Sequence, residues 1–119
     1  MSIEITVNDA LCNDALLVNL LPKGKDGIFE GYAPNNGTYP IVVFSNISDV
    51  PVMAADDREV ARQVTIQVSI ITEFGDYEDI EARVKDIMEN LGFVRVSSIS
   101  MREENDRMRI IRYVIGLEE

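Results

Sequence analysis

Between Val60 and Thr72 the chain alternates with a period of two. Val64, Ile66, Val68 and Ile70 are apolar, and Gln63, Thr65, Gln67 and Ser69 between them are polar. Successive side chains of a strand point to opposite faces, so this segment is a strand with one apolar and one polar face. A strand of that kind belongs in a sheet that is mainly antiparallel and has one face less covered.

The other elements are placed around this strand. Asn8 or Asp9 caps a first helix, and Leu11, Ala15, Val18 and Leu21 recur at helical spacing, with Leu16, Leu17 and Leu20 widening the stripe. Pro22 ends it. Residues 23–38 carry Gly24, Gly27, Gly31, Pro34 and Gly37, which is loop chemistry, with room for a short extended piece at Ile28-Phe29. Ile41 to Phe44 form a short buried strand, and residues 46–57 form a second irregular stretch with Asp49, Pro51 and Asp56-Asp57. Asp76 caps another helix, whose stripe is Tyr77, Ile80, Val84, Ile87, Met88 and Leu91, and Gly92 stops it. Segments 93–101 and 108–117 then form a hairpin joined by the polar turn at Glu103–Asp106. The expected fold is α+β, in the order α-β-β-α-β-β: a mostly antiparallel four-stranded sheet packed with two helices.

At 119 residues the chain forms one domain, spanning 1–119, and its 46% hydrophobic content suffices for a single core. Its 21 acidic and 11 basic residues give a net charge of −10. A nucleic-acid groove gains affinity from surplus Lys and Arg, which this chain lacks. Cys12 is the only cysteine, so no intrachain disulfide forms, and the first residues do not resemble a signal peptide. No apolar run approaches the ~20 residues that cross a bilayer, so no membrane partner is expected. These features suggest a protein that is cytoplasmic when made.

Chemistry is sparse. The chain has no histidine, so it lacks the commonest general base, metal ligand and thiol-activating partner. Cys12, beside the apolar stripe, reads as a structural thiol. Asp56-Asp57 forms a solvated turn or a weak cation contact, without the ligand spacing of a calcium loop. Asn35-Asn36-Gly37 reads as a turn, and Gly24-Lys25 lacks the spacing of a phosphate loop. No catalytic residue, metal or cofactor is expected. Arg102, Arg107, Arg109 and Arg112 crowd the last hairpin. They make salt bridges within it or contact the acidic helix of a neighbouring copy. Candidate interaction residues are therefore Asn35, Asn36, Asp49, Asp56, Asp57, Arg102, Arg107 and Arg109.

Three segments together resemble the tail-completion, or tail-terminator, proteins of long-tailed bacteriophages and prophages. They are Tyr39-Pro40-Ile41-Val42-Val43-Phe44 after a Pro/Asn/Gly loop, Ala61-Arg62-Gln63-Val64-Thr65-Ile66-Gln67-Val68 after an acidic loop, and the helix Asp76–Leu91 followed by Gly92-Phe93. The resemblance implies a structural protein of the virion tail. Such a subunit closes into a ring, commonly a homo-hexamer, which caps the tail tube and meets the head connector. DNA passes through its lumen without being bound. The competing expectation, from charge alone, is an acidic DNA mimic that occupies a host nucleic-acid-binding protein.

Overall fold

The computed structural model describes residues 2–32, 38–53, 59–73, 75–103 and 106–118. Helix α1 spans Ile3–Cys12 and α2 spans Ala15–Asn19, followed by a 3-10 turn at Gly24–Gly27. Strands β1 (Ile28–Glu30), β2 (Ile41–Met53) and β3 (Glu59–Thr72) precede α3 (Glu78–Asn90), and β4 (Val94–Glu103) and β5 (Asp106–Glu118) follow it. The sheet has five strands in the order β1-β2-β3-β5-β4. All pairs are antiparallel except β1 with β2, which is parallel.

The expected four-stranded sheet with two helices is thus corrected to a five-stranded mixed sheet with three helices. The fifth strand is the short piece at Ile28-Phe29, which pairs with Val42 and Val43. The extra helix arises because the first helical segment is broken. Ser2 caps α1 through its side-chain oxygen, which accepts from the Ile5 N–H at 3.4 Å. Asp14 then caps α2 by accepting from the Leu17 N–H at 2.9 Å. The axis change between them leaves Leu11 and Leu17 buried while Leu16 and Leu20 face outward. Nor is 46–53 irregular. Strand β2 continues through it with a bulge between Asn46 and Ser48 that accommodates Ile47. Asp49 and Pro51, which read as loop residues, are tolerated because this part of β2 lies on the sheet edge.

The alternating strand behaves as expected. It is the centre of the sheet, and Val64, Ile66, Val68 and Ile70 are each fully buried beneath the helices. Val7 and Leu11 of α1, Ile80, Val84 and Met88 of α3, and Phe44, Ile111 and Tyr113 of the sheet complete that core. Helix α3 begins after Tyr77, which makes no side-chain cap, rather than at Asp76. Its acidic first turn, Glu78, Asp79 and Glu81, complements the positive end of the helix dipole. Gly92 ends it with φ +101°, and a Cβ there would stand 3.3 Å from Ile115 Cδ1.

Among the described residues, no helix packs on the opposite face of the sheet. A smaller cluster of Ile41, Val43 and Ile71 lies there, with Phe29, Tyr39 and Met108 packed around it. The register carries that face across to β4, where Met101 pairs with Met108 and Ile99 with Ile110.

Candidate assembly surfaces

Residues 33–37, 54–58 and 104–105 lie outside the described residues, and with them the candidates Asn35, Asn36, Asp56 and Asp57. The remaining candidates fall at the two ends of the sheet.

Asp49 lies on β2, with a carboxylate oxygen 3.8 Å from Arg62 Nη1 on the neighbouring strand. Both side chains are partly exposed, so this pair adds little stability. Nearby, Asn46 Nδ2 donates to Glu4 Oε1 at 2.6 Å, tying α1 to β2. That bond, assisted by Ser2, holds the Glu4 carboxyl below its ordinary value.

The arginines of the last hairpin divide into two roles. Arg109 is committed within the subunit. Its Nε donates to Glu81 Oε1 at 2.9 Å and its Nη1 to Ser100 Oγ at 2.9 Å, and its guanidinium lies 5.4 Å from the centroid of the Tyr77 ring. Arg95 reaches the same carboxylate at 3.4 Å, and Ser98 Oγ donates to it at 3.3 Å. Glu81, with a side chain only 13% exposed, therefore clamps α3 onto β4 and β5. Arg102 and Arg107, by contrast, make no ion pair with the described residues and line an open cleft of about 390 Å³ with Gly75, Tyr77 and Met101.

A second clamp lies on the far side of α3. Arg83 Nη2 donates to Asp14 Oδ2 at 2.7 Å and Nε to Oδ1 at 3.0 Å, a bidentate pair that also fixes the α2 cap. It holds the Asp14 carboxyl below the usual carboxylate range. The Cys12 thiol contacts Asn8 Oδ1 at 3.7 Å, and burial pushes it up from its ordinary value, away from the reactive thiolate. Among the described residues, no group of three or more Cys, Asp or Glu side chains is placed to hold a metal ion. No helix among them is long and apolar enough to cross a membrane.

Two sheet edges are open. Strand β1 covers β2 only from Val42 to Phe44, so from Ser45 to Met53 the outer edge of β2 has no neighbour among the described residues. Strand β4 has none along its outer edge from Val94 to Glu103. Both edges expose apolar side chains: Ile47 and Val50 on β2, and Val94, Val96, Ile99 and Met101 on β4. An exposed edge of this length is a template for pairing with another chain. Periodicity alone does not find these residues, because it marks a strand without saying which strand is last in the sheet.

A family model for tail completion protein gp17 matches residues 6–113, from within α1 into β5 and across both clamps. This chain belongs to the tail completion protein gp17 family. Its membership makes it a structural protein of the phage virion tail, as its resemblance to that group implies. Among solved structures, a chain of the virion of a native gene transfer agent particle is similar, with a TM-score of 0.67 at 16% identity. That match covers 95% of this chain and 92% of the other, and at such identity it establishes a shared fold. No curated protein sequence matches significantly. As a tail-completion protein, the chain needs surfaces for other virion proteins, and among the described residues the open edges present a row of exposed apolar side chains.

Proposed function

We propose that this chain caps the phage tail tube as a ring, commonly a hexamer in such systems, and joins the tube to the head connector. Family membership across nearly the whole chain is the observation that carries this reading. The open edges on opposite sides of the sheet support it, since a subunit with two distinct contact surfaces assembles head to tail, the arrangement that forms a ring when the rotation per subunit closes. The net charge of −10 suits a ring through which DNA slides without adhering. Assembly takes place in the host bacterial cytoplasm, where the subunits meet finished tubes. The DNA-mimic alternative has less support, because the carboxylates of α3 are interleaved with Arg83 and Lys85, and one of them, Glu81, is held by Arg95 and Arg109.

Co-sedimentation with purified tail tubes, followed by negative-stain imaging of the tube ends, tests this reading. The expected result is a ring of density at one end of each tube. Decoration along the tube walls, or no binding at all, contradicts it.

A further inference from the structure

We infer that the ring is built by strand addition, with β4 of one copy pairing antiparallel with the free edge of β2, residues 45–53, in the next. The inference rests on the ring reading above and specifies its contact.

Strand direction is the first support. Along the sheet, β2, β3, β5 and β4 alternate in direction. When a second copy stands beside the first in the same orientation, its β2 runs opposite to the first copy's β4. The antiparallel ladder then continues across the junction unbroken, the stronger of the two strand arrangements. The free segments also match in length, nine residues against ten, or about 30 Å each at ~3.3 Å per residue.

The side chains on both faces agree. The register places Val94, Ile99 and Met101 of β4 on the helix-free face, in line with Val114, Ile110 and Met108. Val50, opposite Gln63, lies on that same face of β2. Continuing the sheet brings these apolar groups side by side. On the helix-bearing face, β4 carries Arg102, which makes no ion pair with the described residues, and Arg95, which also reaches Glu81, whereas β2 carries Asp49, half-exposed and only 3.8 Å from Arg62, near the Asn46-bound Glu4. The heterologous junction therefore places the arginines of β4 on the same face as the carboxylates near β2. A two-fold β4–β4 junction sets arginines against arginines, and like charges directly opposite are destabilising.

The two edges differ in height. Through the ladder, Val94 is level with Ser48 and Met101 with Ile41, while the free part of β2 extends on to Met53. Adjacent copies are therefore staggered along the strands, and strands tilted to the ring axis absorb such a stagger, as the shear of a closed barrel does.

The test uses two variants, each blocked on one edge: Val50→Lys on β2, and Ile99→Lys with Met101→Lys on β4. All three side chains are exposed, so both variants are expected to fold, as judged by circular dichroism. If the β4 pair does not fold, Arg102→Glu replaces it. Sedimentation velocity is run under the condition in which the wild-type chain assembles, alone or with tail tubes. Each variant alone should lose assembly at least 10-fold in midpoint concentration. A 1:1 mixture should form a discrete heterodimer, because one intact β4 and one intact β2 edge remain. A mixture with no heterodimer overturns the inference and leaves the ring reading standing, as does a Val50→Lys variant that still dimerises through β4. A wild-type chain that never self-associates, even on tubes, overturns both.

Discussion

Strands β3 and β4 carry similar chemistry and meet opposite fates. Both alternate apolar and polar residues. In β3, Val64, Ile66, Val68 and Ile70 are fully buried, with strands on both sides and helices above. In β4, Val94, Val96, Ile99 and Met101 are at least half exposed. The difference lies in position. A central strand finds its partners within the subunit, and an edge strand keeps an open row of backbone groups. The apolar residues of β3 therefore report the stability of the domain, and those of β4 report what the domain joins.

Substitutions can break this contrast. Ile66→Ala should cost about 2–5 kcal/mol, because it opens a cavity in the middle of the core, and chemical denaturation will read the loss. Glu81→Ala should cost about 2 kcal/mol, because it frees Arg95 and Arg109 together and loosens α3 from β4 and β5. If its cost is near zero, the clamp is decorative and β4 is held by its ladder with β5 alone. Gly92→Ala should cost roughly 1 kcal/mol or more through the positive φ and the close Ile115 methyl, seen as a lowered melting temperature. Ile99→Ser, at the edge, should change the stability of the isolated subunit by less than ~0.5 kcal/mol while weakening its assembly. Equal costs at Ile66 and Ile99 would abolish the distinction between the two strands.

Acid sharpens the contrast in another way. The carboxyls of Glu4 and Asp14 are held below their ordinary values by Asn46 and Arg83 respectively. In acid the unfolded chain takes up their protons first. Their contribution is therefore complete above the unfolded values and is lost as pH falls through the lowered folded ones, below about pH 4. A denaturation midpoint measured against pH should fall in that window, and Asp14→Asn should flatten part of the slope. Asp14 anchors α2 and Glu4 anchors α1, so acid should loosen the helices before the β3–β5 ladder.

Long periodic segments were legible in the sequence. The alternation of Val64 to Ile70 located β3, the stripe from Ile80 to Met88 located α3, and Gly92 marked its end, because each signal repeats over several turns or pleats. The second half of β2 was hidden. Asp49 and Pro51 ordinarily mark loops, and only an edge position, set by the whole sheet, makes them acceptable in a strand. The break at Asn13 was hidden because the helical recurrence of Leu11, Ala15 and Val18 continues across it and outweighs the capping potential of a single Asp14. Arg109 was visible as a hairpin cation, but its partner Glu81 lies on a helix whose placement depends on how β4 and β5 pair. The exposed side of β4 was legible as a strand and illegible as an edge, since periodicity fixes the faces of a strand and topology fixes its neighbours.

Hydrogen exchange on the chain, first alone and then bound at tail-tube ends, tests the central claim most directly. In the free subunit, amides of 64–70 should exchange slowly, and the outward amides of 94–103 and 45–53 should exchange fast. On assembly both edges should slow at least 10-fold while β3 stays unchanged. Assembly that leaves both edges fast and instead protects the outer face of α2 around Leu16 and Leu20 would contradict the account.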